Sequence, residues 1–484
     1  MSFLLGSANS AATDTYEITN SLRFSADTDL KRLPSATGQS IKGTLSVWVK
    51  FGTQDTEMAI IGGFDNSGGN DNDGYFVFKR LADGNLQFEG GDNVYLETTA
   101  HFRDCTAWYH IVLAIDSGNS TANNKQRIYV NGAEITAFDT RNNLTNLQDL
   151  PMNTTAGNDD ALLIGCDEDT GGKGLFFDGY MSEFYWIDQN QYAASDFGEY
   201  NGDGIWVPKE FAGSFGVNGV FLQFKQTGTG ADASGMGADT GGGAKHFTVT
   251  NLTAVDVCVD TPTNNFSTMS PHYKSTDGVD GNKPIITEGM TKVTNHASGD
   301  CSTLSTIGVA NGKWYFEAKF EKTPSDVQGH PIIGWAKNGN IMDGDHVGIN
   351  TASGTNYRGR VGVPVIANAF DGVPGAGDIV GFYLDIDNGT LILHLNGSDF
   401  MGSGASSGLD FSSTTFNVDT GFFQVRYYSG SNVAHFIEFN FGNPNFALSS
   451  AVSDANGYGD FEYNPTLGGT DYYAVCTKNL AEFG

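Results

Sequence analysis

The sequence predicts an all-β protein built as two tandem antiparallel β-sandwiches, and three observations carry that prediction. Apolar residues recur at every second position through most of the chain, the period of a strand with one buried face. Twice, at 108–132 and 377–397, an apolar strand runs into a polar turn and then a second strand that stops at Asn-Gly. That dipeptide supplies the positive φ of tight hairpin turns. Composition agrees: 64 glycines, 12% aromatic and 17% charged residues suit short strands joined by many turns.

At 484 residues the chain exceeds what one hydrophobic core serves, so two domains are the natural division. Residues 1–15 are small and polar after Phe3, Leu4 and Leu5 and read as an extended arm able to dock on a partner. Residues 16–226 read as the first sandwich. SLRF, the stretch with Leu45, Val47, Val49 and Phe51 on one face, YFVF, NLQFEG, ALLIG and FFDGYMSEFYWID are its strands. In WYHIVLAIDSGNSTANNKQRIYVNG the set Tyr109, Ile111, Leu113 and Ile115 shares a face that Ile128 and Val130 continue. Residues 227–254 begin with GTGADASGMGADTGGGAK, nearly free of large apolar side chains, and read as a Gly-rich acidic linker or crossover.

Residues 255–484 read as the second sandwich. Trp314, Phe316, Ala318 and Phe320 alternate with Tyr315, Glu317 and Lys319, and PIIGWA, GFFQVRYY and HFIEFNFGNPNF behave similarly. In GDIVGFYLDIDNGTLILHLNG, Val380, Phe382, Leu384 and Ile386 form one face, answered by Leu391, Leu393 and Leu395. No segment holds a 3.6-residue apolar period over three turns, so neither a Rossmann fold nor a parallel barrel is suggested.

Charge excludes some functions. With 26 basic and 56 acidic residues the net charge is −30, which repels phosphate backbones and anionic lipid surfaces, so neither nucleic-acid binding nor membrane insertion is expected. The five cysteines are widely spaced and show no metal-site pattern, as for buried thiols made in a reducing cytosol; a Cys105 to Cys166 bridge has no support from spacing. MSFLLGSANSAATD lacks a basic n-region and is not a secretory signal. No apolar run reaches the roughly 18 residues of a membrane span.

The first domain resembles the laminin-G-like, concanavalin A-like lectin/glucanase family through WYHIVLAID, RIYVNG and FFDGYMSEF. The second resembles a SPRY domain through GKWYFEAKF, IIGWA, GDIVGFYLDIDNGTLILHLNG and FNFGNPNF, in that family's order. Joined by GIWVPKEFAGSFGVNGVFLQF, the acidic segment, FTVTNL and DTPTNNF, the pair is similar to structural proteins of tailed bacteriophages. That resemblance implies a jelly-roll sandwich followed by a SPRY-type sandwich, and a tail-fibre, capsid-fibre or decoration role in a virion assembled in a host cytoplasm. The implied partners are other capsid or tail proteins and a host-surface glycan or protein, with homo-oligomers, trimers among them, expected by analogy with fibres.

Glucanases of the concanavalin-like fold carry Glu-x-Asp-x-(x)-Glu on one strand, and this chain has no such run. Asp385 and Asp387 share a face but turn at once into Asn388-Gly389, as turn-forming acids do. The nine histidines form no HExxH pattern, and His110 and His394 sit inside strands. No P-loop is present. The expectation is therefore a non-enzymatic protein. Its two alternatives are a lectin-like receptor-binding protein and, less favoured, a polysaccharide depolymerase.

No cofactor is required, and calcium is the one candidate. Asp65, Asp71 and Asp73 lie in a loop rich in oxygen donors, although the bidentate Glu of an EF-hand is missing; Asp167-Glu168-Asp169 is a second acidic loop. For ligand recognition Trp335, Tyr357, Arg358 and Arg360 are the candidates, because aromatic rings stack on sugar faces and guanidinium groups hydrogen-bond rigidly. Trp335 also has the apolar neighbours of a core residue.

Overall fold

The computed structural model of the protein describes residues 4–5, 16–34, 36, 38–64, 75–91, 93–150, 161–169, 172–271, 283–296, 301–321, 331–337, 346–351, 369–412, 421–427 and 435–484. It is an all-β protein whose one α-helix among these residues is the terminal Thr477–Phe483. The chain divides into two compact units, Ala12–Thr263 and Asn264–Gly484 together with Met1–Ala11.

The first unit has two large antiparallel sheets. One runs in the order Ala133–Glu134, Gln126–Val130, Tyr109–Asp116, Lys42–Phe51, Gly179–Asp188, Ser21–Phe24 and Val257–Cys258, with Val220–Leu222 beside Gly179–Asp188. The other runs Phe138–Arg141, Asn93–His101, Asn85–Gly90, Tyr75–Arg80, Met58–Phe64, Ala161–Ile164, Asp29–Arg32 and Thr248–Thr250. Ile111, Leu113 and Ile115 point into the buried layer, as their alternation predicts, and Ile111 faces Val130 and Leu113 faces Ile128 across the ladder.

Alternation also predicts a solvated second face, and here the structure differs. His110, Val112 and Ala114 are buried as well. The chain between 189 and 225 folds back over that face and lays Phe197, Phe211, Phe215 and Phe221 on it, Phe221 stacking on Tyr185 with ring centroids 4.1 Å apart. The sheet is thus the middle of three layers.

The Gly-rich stretch expected as a linker is part of this unit. Met236, Ala238 and Phe247 are buried, and Thr248–Thr250 pairs with Asp29–Arg32. Sparse apolar side chains are offset by one carboxylate: Asp239 accepts backbone N–H groups of Phe221, Gly241 and Lys245 at 3.1, 2.9 and 3.1 Å. The unit closes only at Thr263 rather than near 226 or 254. Its last strand, Val257–Cys258, pairs with Ser21–Phe24, and Lys50 Nζ meets Asp260 Oδ2 at 2.8 Å with both side chains fully buried.

The second unit repeats the plan. One sheet runs Ile285–Thr287, Lys292–Thr294, Phe436–Asn440, Lys313–Phe320, Ile379–Asp385, Thr390–Leu395 and Ser398–Asp399. Leu409–Asp410 pairs with Thr390–Leu395, and Tyr473–Ala474 with Lys313–Phe320. The facing sheet runs Leu4–Leu5, Cys301–Val309, Gly421–Tyr427, Pro331–Lys337 and His346–Asn350. The face read from the sequence is answered as expected, with Val380, Phe382 and Leu384 opposite Leu395, Leu393 and Leu391. The N-terminal arm reaches this unit, with Leu4 parallel to Ile307 and Leu5 to Gly308.

Here too the outward face of the central strand is covered. Tyr315 and Glu317 are buried beneath a segment that includes Phe461, whose ring meets Tyr315 edge-on at 4.8 Å. All five cysteines are free and buried, so no Cys105 to Cys166 bridge exists. Burial pushes the Cys105 and Cys476 thiols up to about 12, which makes them inert rather than nucleophilic.

Candidate functional site

The Asn-Gly turn of the first hairpin is where an exposed aromatic group is built. Asn131 and Gly132 hold φ of 47° and 82°, a pair of left-handed residues that turns the chain between Gln126–Val130 and Ala133–Glu134. The turn is tied back by His110 N–H, which donates to Asn131 Oδ1 at 2.8 Å, and by Asn131 N–H, which donates to the His110 carbonyl at 2.9 Å.

A second hairpin, Gly198–Tyr200 against Trp206–Pro208, lies over this turn. Its tip is closed by Asn201, whose Oδ1 accepts the N–H groups of Asp203 and Ile205 at 3.0 and 2.9 Å. Trp206 sits so close to both turns that a Cβ on Gly132 would stand 2.3 Å from its ring, and one on Gly198 would stand 2.5 Å away. Glycine at 132 therefore answers two demands, the positive φ and the indole. Gly132→Ala is expected to cost about 2 kcal/mol or more. Gly204→Ala is the control, because Gly204 also has positive φ but nothing within 4 Å of its added Cβ. Calorimetric melting of both variants isolates the clash from the strain.

Trp206 Nε1 donates to His110 Nδ1 at 3.1 Å, and an indole N–H can only donate. His110 Nε2 therefore carries the ring proton and donates to Ser46 Oγ at 2.8 Å. Burial holds this imidazole down to about 3, so it stays neutral. Trp48, His110 and Trp206 form a stack, with centroids 4.9 and 5.9 Å apart. On its outer end Tyr200 meets Trp206 edge-on at 5.0 Å and donates its hydroxyl to the Asn131 carbonyl at 3.2 Å. Tyr200 remains 56% exposed, and the neighbouring Ile205 is 38% exposed. Fixed at ring edge and hydroxyl, Tyr200 has little rotamer freedom left to lose on contact with a ligand.

The sites proposed from sequence fare differently. Trp335 is only 1% exposed, in the core of the second sandwich against Phe411, and presents no ring face to a sugar; its alternation with apolar neighbours is that of a core residue. Tyr357, Arg358 and Arg360, and likewise Asp65, Asp71 and Asp73, lie outside the described residues. Asp167–Asp169 forms a small hairpin with Gly172–Gly174, in which Glu168 pairs with Lys31 at 2.7 Å and Lys173 with Asp29 at 2.7 Å. Among the described residues no group of three or more His, Cys, Asp or Glu side chains is arranged to hold a metal ion.

Asp385 and Asp387 act as turn acids: Asp385 accepts Asn388 N–H at 3.0 Å and pairs with Lys313 at 2.8 Å, while Asp387 accepts Gly312 N–H at 2.9 Å. Buried Glu183, on a bulge with φ of 48°, accepts the hydroxyls of Tyr16 and Tyr185 at 3.0 and 2.7 Å. Burial pushes its carboxyl up, and the two phenols draw it back. Tyr200 and Trp206 were missed at the level of sequence. Their signal is EYNGDGIW, two aromatic residues placed to face each other across a turn-rich stretch.

Residues 25–191, in the first sandwich, match the family model described as the concanavalin A-like lectin/glucanases superfamily. No curated protein matches the chain. Among solved structures, the SPRY domain of human HERC1 is similar at 15% identity, covering 35% of this chain and 96% of that one, with a TM-score of 0.27. A presumptive carbohydrate binding protein from Bacteroides ovatus is similar at 18% identity, covering 48% of this chain, with a TM-score of 0.33; the match spans 58% of that protein's length. The CBM40 module of a Ruminococcus gnavus IT-sialidase, solved with α2,3-sialyllactose, is similar at 15% identity over 34% of this chain and 90% of that one, with a TM-score of 0.25.

Proposed function

We propose that the chain is a non-enzymatic carbohydrate-binding protein displayed on a bacteriophage particle as a tail-fibre, capsid-fibre or decoration component. The observation that carries the binding half is Tyr200, an exposed ring immobilised by Trp206 and by the Asn131 carbonyl on a domain that matches a lectin-containing superfamily. The virion half rests on the order of motifs along the chain, a laminin-G-like sequence followed by an acidic Gly-rich stretch and a SPRY-like sequence. Recognition of this kind needs no cofactor. Contacts that are each about millimolar become firm when a symmetric assembly presents several copies together, which is how a virion surface protein turns a shallow platform into adhesion.

A glycan array probed with the purified full chain and with Tyr200→Ala tests the binding half. Saturable binding that falls about tenfold or more in the variant, with melting temperature unchanged, is the expected outcome. An array with no bound glycan refutes it. Antibody labelling of intact particles tests the other half, and label absent from every particle surface refutes that.

A further inference from the structure

Resting on that reading, we infer that the Tyr200 platform takes uncharged pyranosides and rejects glycans bearing sialic acid, uronic acid, sulfate or phosphate. The inference comes from the charges carried by the two hairpins that meet where Tyr200 bonds the Asn131 carbonyl. Glu199 precedes Tyr200 directly, Asp203 stands in the tip of the same hairpin, and Glu134 lies two residues beyond Gly132, opposite Tyr129; all three are exposed.

The nearby cations do not cancel them. Arg127 is turned to Glu134, with Nε 3.8 Å from Oε1, and to the Tyr129 hydroxyl at 3.2 Å. Lys209 donates to the Ser195 carbonyl at 2.6 Å. Among the described residues neither Glu199 nor Asp203 has an ion-pair partner. Among the described residues no free guanidinium fork stands beside the ring, although that is the group that recognises carboxylate or sulfate in two-point fashion. What the platform does offer is an aromatic face for the C–H face of a pyranose. A protein with a net charge of −30 adds a long-range field of the same sign.

The test is a set of glycan pairs that differ by a single sialic acid, uronic acid or sulfate, bound to the full chain at low and at high salt. The neutral member is expected to bind about fivefold or more tightly at low ionic strength. That preference should shrink at about 1 M salt, where the Debye length is about 3 Å. Glu199→Lys combined with Asp203→Lys should remove or invert it while leaving the neutral affinity within about twofold.

Equal or tighter binding of the anionic member by the wild-type chain, lost in Tyr200→Ala, overturns the inference and leaves the carbohydrate-binding reading standing. Binding unaffected by Tyr200→Ala places the contact elsewhere and also overturns it. No binding to either member fells both.

Discussion

Replacing Asp260 with alanine is expected to destabilise the first sandwich by about 3 to 5 kcal/mol, the usual consequence of removing one partner of a buried ion pair. Asp260 and Lys50 are both fully buried and 2.8 Å apart. The other carboxylate oxygen accepts Trp108 Nε1 at 3.1 Å, and the Asp260 carbonyl accepts Ser21 Oγ at 2.6 Å. Lys50 also lies over the Tyr180 ring at 5.7 Å. One residue thus joins two strands, and the residue leading into a third, to the segment that closes the domain.

Urea unfolding of the full chain should show the first transition move sharply in Asp260→Ala, whereas Lys50→Met with Asp260→Leu should recover most of the loss, because an apolar pair carries no desolvation cost. A shift below about 1 kcal/mol in the single variant would show that the pair is incidental. The same geometry predicts that a fragment ending at 263 folds and one ending at 254 does not, since only the longer one keeps Val257–Cys258 and Asp260.

The two-layer part of each sandwich was legible because a strand writes its buried face at every second residue. The face of Val380, Phe382 and Leu384 could be set against that of Leu391, Leu393 and Leu395 from the alternation, and the ladder brings the two together. The third layer was not legible. Whether the residues between the buried ones face water or another part of the chain is decided by segments without periodicity, such as 189–225, whose phenylalanines fall at irregular spacings. Glu317 therefore read as a solvated position, and the stretch after 227 read as a linker although Asp239 organises its backbone.

The proposed binding surface was not legible in place. Aromatic groups on loops were sought, but Trp335 belongs to the core, as its apolar neighbours suggested. Tyr200 is visible only once the hairpin is known to pair Tyr200 with Trp206 and to sit over Asn131. A single-chain sequence carries no mark for such a crossing, because the two turns that meet are about 70 residues apart, a separation that local patterning does not report. The glycines did hold a trace of it. Gly132 and Gly397 both follow a left-handed Asn, and both lie against an aromatic ring from a covering segment, Trp206 in one unit and Tyr463 in the other.

Glu317→Ala should match the Asp260 variant in size, about 3 kcal/mol or more from the second sandwich, and its pH dependence separates charge from shape. The carboxylate lies beneath the covering segment and accepts four hydrogen bonds. Tyr315 hydroxyl and Tyr463 N–H reach Oε1 at 3.1 and 2.8 Å, and Asn440 Nδ2 and Glu462 N–H reach Oε2 at 3.1 and 3.0 Å. Alanine leaves all four donors facing a void. Burial pushes the carboxyl up to about 7 from its ordinary 4.5, against the pull of those donors.

A folded-state value above the unfolded one means that the folded protein binds the proton more tightly. The associated stability is therefore complete below about pH 4.5 and is lost as pH rises through about 7. Glu317→Gln carries no titrating group at this position, so it should gain on wild type by about 2 to 3 kcal/mol between about pH 5 and about pH 8, read from urea midpoints of the second transition. A gap that widens against the glutamine variant over that range would mean that the four donors outweigh burial, and that Glu317 holds its covering segment as a full carboxylate throughout.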